Sequence, residues 1–169
     1  MKKLDIVVLF SAIALVGLSC GKVTFNMSGA SVGAARTCQV VYFENRAEKF
    51  YAPLSSLMTD ALRDKIQAST SMRIVNSNPD VMFEGEITGY NTQSEQITTA
   101  GVAQRDRLTI TVKVRFTNAL DSEKNYDKSF SRFSTYPGGG DLSQYESGCV
   151  DEILKELMED IFNEAFASW

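Results

Sequence analysis

The chain has 169 residues and a formal charge of −4, from 17 Lys and Arg against 21 Asp and Glu, and it has no histidine. A mildly acidic chain has no overall field with which to hold nucleic acid. Without imidazole, neither histidine base catalysis nor a histidine-ligated zinc centre is available.

Lys2 and Lys3 precede a nearly unbroken apolar run from Ile6 to Leu18, and Ser19 stands directly before Cys20, which is the order of a secretory signal. The run of about thirteen residues falls short of the roughly 20 that a helix needs to cross a bilayer. A cysteine directly after the small residue resembles a bacterial lipoprotein signal, in which Cys20 is acylated and becomes the mature N-terminus. Gly17 and Leu18 stand in an unusual order for such a signal, and an ordinary secretory signal is the alternative. Each buried CH₂ of an acyl chain contributes about 0.8 kcal/mol, so two or three chains tether durably where one does not. Loss of Lys2, Lys3 and Asp5 moves the formal charge from −4 to −5. The expected organisation is a signal peptide over 1–19, a lipidated Gly/Ser/Ala-rich tether over 20–36, and a single domain over 37–169.

The first strand is expected over Thr37 to Phe43, with Cys38, Val40 and Tyr42 on one side and Val41 and Phe43 on the other. Tyr51 to Ser69 has helical spacing, since Leu54, Leu57, Met58, Ala61, Leu62 and Ile66 recur at steps of three and four, and Pro53 suits the first turn. A turn region around Ile74 and Val75 follows, closed by Asn78-Pro79-Asp80. Val81 to Tyr90 reads as a strand with Val81, Phe83 and Ile87 in step. Gly85 falls on that apolar face, where its missing side chain would let a helix come close. Glu84 and Glu86 share the other face about 7 Å apart, and strand alternation explains them better than a pair of glycosidase carboxylates.

Asn91 to Gln104 reads as a long polar loop. Leu108 to Thr117 alternates throughout, with Leu108, Ile110, Val112, Val114 and Phe116 against Thr109, Thr111, Lys113, Arg115 and Thr117. A turn leads to a fourth strand, Tyr126 to Tyr136, in which Tyr126, Phe130 and Phe133 share a face only if a bulge falls between the last two. Pro137 to Gly140 ends it, with no context for a phosphate loop. The last helix is expected from about Ser143 to Trp169, roughly 40 Å long, its apolar stripe running from Val150 to Trp169. Cys38 and Cys149 form a candidate disulfide, weighed evenly against two separate buried thiols.

Helices and antiparallel strands are therefore segregated, as in an α+β fold with two amphipathic helices packed on one face of a roughly four-stranded, mostly antiparallel sheet. The segments Phe83 to Tyr90, Arg107 to Asn118, Ser129 to Phe133 and Asp160 to Asn163, with terminal Trp169 and an opening Tyr42-Phe-Glu-Asn45, resemble the lipopolysaccharide-assembly lipoprotein family LptE in its Bacteroidetes form. The resemblance covers nearly the whole mature chain, and it rests on the order of short motifs. It implies a non-enzymatic outer-membrane lipoprotein without cofactor or metal. It further implies that the domain plugs and helps to assemble the LptD β-barrel and binds lipopolysaccharide.

A phosphorylated glycolipid needs a local basic site on an acidic chain. The expected one is Arg105 and Arg107, with Lys128 and Arg132 across a hairpin that would bring Arg132 near Arg107, and with Lys124 in the intervening turn. The competing reading of these residues is a set of solvated charges paired with Asp106, Asp121, Glu123 and Asp127. The alternative function is a free-standing periplasmic lipoprotein that binds a small ligand or scaffolds the envelope. A serine hydrolase would need a Ser-Lys pair, for which no convincing spacing exists.

Overall fold

The computed structural model describes residues 32–49, 51–95 and 105–167; the expected signal, Cys20, most of the tether and Trp169 lie outside them. The elements are β1 (Thr37–Val40), β2 (Glu44–Asn45), α1 (Leu54–Ser69), β3 (Arg73–Ile74), β4 (Val81–Glu95), β5 (Arg105–Asn118), β6 (Tyr126–Pro137) and α2 (Glu146–Phe166). Short 3₁₀ turns at Ser122–Lys124 and Leu142–Gln144 precede β6 and α2. The class is α+β as expected, but the sheet has six strands in the order β3-β1-β4-β5-β6, with β2 also on β4. The three short strands pair in parallel and the three long ones antiparallel. A two-residue strand such as β3 is too short to carry a period, so it reads as a turn in sequence.

Both helices cover one face. The side chains beneath them are Val81, Phe83, Ile87 and Tyr90 of β4 and Leu108, Ile110, Val112, Val114 and Phe116 of β5, all buried. From above, Leu54, Met58, Leu62 and Ile66 of α1 and Val150, Ile153, Leu157, Ile161 and Phe166 of α2 meet them. Phe83, Phe116 and Phe166 form an aromatic group with centroids 4.8 to 6.0 Å apart. Among the described residues, the other face of the sheet carries no helix.

Two bulges set which residues face inward. Between the pairs Val40↔Phe83 and Glu44↔Glu86 the first chain takes four steps and β4 three, so the alternation expected over Thr37 to Phe43 breaks. Tyr42 is turned out, 56% exposed, and Phe43 is fully buried. The Phe43 N–H donates to Thr59 Oγ1 of α1 at 3.1 Å, and its ring occupies the space above Gly85, where a Cβ would stand 2.3 Å from Cε1. The bare backbone of Gly85 thus admits a ring from a neighbouring segment, not a helix. The second bulge lies in β4 between Ile87 and Gly89; it shifts the alternation by one residue and brings Tyr90 onto the helix face.

No bulge occurs in β6. Its register on β5 runs unbroken from Arg105↔Pro137 to Phe116↔Tyr126, so Tyr126 and Phe130 keep the helix face while Phe133 points to the open face, 48% exposed. The expected loop over Asn91 to Gln104 is strand as far as Glu95. α1 begins at Leu54 with Pro53 as its cap, and α2 at Glu146, later than expected in both cases. At the sheet's start the Asp80 carboxylate accepts from the Arg36 and Thr37 N–H groups at 2.7 and 2.9 Å and from Thr37 Oγ1 at 2.9 Å. These bonds clip β1 to β4.

Cys38 and Cys149 are both buried free thiols. Cys38 pairs with Val81 at one end of β4, whereas Cys149 is in electrostatic reach of Tyr90 near the other. Nine residues of strand put them roughly 30 Å apart, so the candidate disulfide is not formed. Burial pushes the Cys38 thiol up to about 12, which removes it from thiolate chemistry.

Candidate functional site

The helix-free face of the sheet collects most of the charged strand residues, because β5 alternates strictly and sends its odd-numbered side chains there. Towards the β1 end, Tyr42, Glu44, Arg46, Glu84, Glu86, Lys113, Arg115 and Asp127 line an open depression of about 370 Å³. Its charges answer one another. Arg46 pairs with Glu44 at 3.0 Å and with Glu86 at 3.1 Å, and Asp127 takes Lys113 at 3.4 Å and Arg115 at 3.5 Å. Glu84 and Glu86 stand directly across from Arg115 and Lys113 in the register, a cross-strand arrangement that explains both carboxylates without a reaction.

The other end of this face is built differently. The Arg107 guanidinium lies over the Phe133 ring, 4.0 Å from its centroid. Arg105 is exposed and donates from Nη1 to Thr135 Oγ1 at 3.2 Å. Thr111 and Ser131 share a hydroxyl contact at 3.0 Å beside them. Asp106, between the two arginines in sequence, points to the helix face, where it is buried and accepts from the Gly139 N–H at 3.2 Å. Asp106 therefore lies on the opposite face of β5 from Arg105 and Arg107. A guanidinium over an aromatic ring is drawn to it by cation–π attraction.

The structure divides the expected basic group. Arg105 and Arg107 occupy the open face, but Lys128 and Arg132 are even-numbered on β6 and turn to the helix face. There Lys128 pairs with Glu164, and Arg132 forms a two-pronged pair with Asp160 at 2.6 and 2.7 Å, with Glu156 at 3.9 Å. The Asp160 hydrogen bond and charge hold the Arg132 guanidinium even more firmly protonated than usual. Arg132 faces Ile110 in the register, and Arg107 faces Thr135, so the expected approach of Arg132 to Arg107 does not occur. Lys124 pairs with Asp121 in the turn, at 3.6 Å.

Phe133 could share the face of Tyr126 and Phe130 only through a bulge in β6, and without one it stands on the open face. The signal was present: Asp127, Ser129, Ser131 and Thr135 are polar and share its parity. Among the described residues no group of three or more His, Cys, Asp and Glu is placed to hold a metal ion. No helix among them is long and apolar enough to cross a membrane.

The sequence profile of the family described as lipopolysaccharide-assembly, LptE, matches residues 35–165. Among curated proteins none matches the chain in sequence. In fold the chain is similar to a minor lipoprotein from Acinetobacter baumannii, with TM-score 0.51, 13% identity, and 77% of this chain and 91% of that one covered. It is also similar to the hypothetical protein CT253 from Chlamydia trachomatis, with TM-score 0.56, 10% identity, and 80% and 100% covered. At such identities the likeness is one of fold.

Proposed function

From the premise that this chain belongs to the LptE family of lipopolysaccharide-assembly proteins, we propose that it is the non-enzymatic, lipid-anchored component of an outer-membrane translocon for lipopolysaccharide. In this reading Cys20 carries the acyl anchor, and the domain plugs and helps to assemble the LptD β-barrel. Lipopolysaccharide meets the domain on the open face of the sheet at Arg105 and Arg107. The interior of such a barrel is polar, and a sheet face of Thr, Ser and paired charges suits it.

The observation that carries the ligand site is the Arg107–Phe133 stack with Arg105 beside it. A glycolipid with phosphates on a sugar backbone offers anions to a pair of arginines and an apolar flank to the ring. Lys128 and Arg132 contribute by keeping β6 fastened to α2, not by reaching the ligand. The test is lipopolysaccharide binding by an Arg105→Glu, Arg107→Glu double variant at two salt concentrations. Arg105 is exposed and Arg107 is half-buried on the open face, so folding is retained while affinity drops, most at low salt. Equal affinity of variant and parent at low salt refutes the site. Release of the Cys20→Ser variant from the membrane fraction tests the anchor, and retention there refutes it.

A further inference from the structure

The two margins of the sheet are unlike. One ends in β3, only two residues long; the other is β6, with 12 residues and an unbroken register on β5. The direction of its backbone groups follows from the pairing. Val41 donates its N–H to the Phe83 carbonyl at 2.9 Å, so Phe83 aims its backbone groups at the β1 side. The direction alternates along antiparallel strands. Carried through the pairs Phe83↔Phe116 and Phe116↔Tyr126, it leaves Asp127, Ser129, Ser131, Phe133 and Thr135 with N–H and C=O pointing away from β5. Among the described residues nothing bonds to that row.

Exposed edges are ordinarily blunted by a bulge, a proline within the strand, or charged side chains projecting at the margin. β6 has no bulge, and its proline is the terminal Pro137. Its two basic side chains are drawn over onto α2, where Glu152, Glu156, Asp160 and Glu164 recur at every fourth residue along one stripe. These carboxylates meet Ser134, Arg132 and Lys128 in turn. Only another extended backbone complements a row of alternating N–H and C=O groups.

We infer that the free edge of β6 takes an extended segment of a different polypeptide as an added strand, with Lys or Arg at alternate positions on the side facing α2. Charge decides against a second copy of this chain. Two copies joined edge to edge would bring their carboxylate rows together, and among the described residues each row of four has only Lys128 and Arg132 to offset it. An incoming strand with basic residues at that height completes the offset, and its other face covers the half-exposed Phe133. This inference deepens the proposed partnership with a barrel, but the edge chemistry stands apart from which protein supplies the strand.

The test uses the full lipidated chain in its own membrane, with a photo-crosslinking phenylalanine analogue at Thr135 and the crosslinked residues mapped by mass spectrometry. A Ser129→Pro, Ser131→Pro double variant removes two outward N–H groups and no bond to β5, a placement that edge strands tolerate. Ser129→Ala, Ser131→Ala keeps the N–H groups and serves as control. The expected result is a crosslink to an extended segment of another protein with basic residues at alternate positions, reduced roughly tenfold or more by the prolines and unchanged by the alanines. A crosslink to a second copy, one indifferent to the prolines, or none at all overturns the inference. A proline-sensitive crosslink to such a segment in a protein that is not a barrel supports the edge and refutes the barrel as its partner.

Discussion

Replacement of Gly85 by alanine is the sharpest test of how the two layers fit. The added methyl would stand 2.3 Å from Phe43 Cε1 and 2.8 Å from both Cδ1 and Cζ, where ordinary carbon contacts begin at about 3.5 Å. The ring must therefore retreat by more than an ångström. It has little room, because Phe43 is fully buried and its N–H is bonded to Thr59 of α1. Overpacking of this kind costs about 1–3 kcal/mol, while relief of glycine's backbone entropy in a strand returns about 0.5–1 kcal/mol. The net expectation is a loss of about 1–2 kcal/mol, or several degrees in melting temperature for a domain of this size. Urea unfolding of Gly85→Ala, Phe43→Leu and the double variant measures it. The double variant should lose clearly less than the sum of the singles, since the smaller side chain accommodates the methyl. Strict additivity, or a stabilised Gly85→Ala, would refute the proposed fit of ring over glycine.

Two further outcomes follow from the same geometry. The Asp80 carboxyl is held below the usual carboxylate range, chiefly by the Arg36 N–H and then by the Thr37 hydroxyl and N–H. Its contribution is therefore present above its unfolded value of about 3.9 and is lost as pH falls through the folded value. Asp80→Asn should lower stability at neutral pH and converge with the parent in acid, and a gap that persists in acid counts against the clip. Leu157→Asp places a charge where exposure is 0% and should cost several kcal/mol, enough to unfold a domain stable by about 5–15 kcal/mol. Glu156→Lys, on the exposed side with only a 3.9 Å contact to Arg132, should shift the melting curve little; equal losses would mean that the helix face is misassigned.

Periodicity by itself determined the long elements: α1, α2, β4, β5 and β6 are each legible as elements, and in α1, α2 and β5 enough residues repeat for the inward side to be read. It also determined the α+β class and which face of β5 is covered. The absence of histidine, the acidic balance and the order of Ile6 to Cys20 are likewise properties of the sequence alone. Tertiary structure decided what depends on one-residue shifts. A bulge costs a single position yet exchanges the two faces beyond it, so Phe43, Tyr42 and Tyr90 could not be assigned from local pattern. The converse holds in β6, where Phe133 could share a face with Tyr126 and Phe130 only through a bulge, and the unbroken register on β5 puts it on the open face. β2 and β3, two residues each, exist only because β4 and β1 offer edges to pair with. The basic group was split for the same reason: Arg105 and Arg107 share a parity on β5, and Lys128 and Arg132 have the opposite parity on β6. Which parity faces the helices is fixed only once the strands are in register and α2 lies across them with its carboxylates in place.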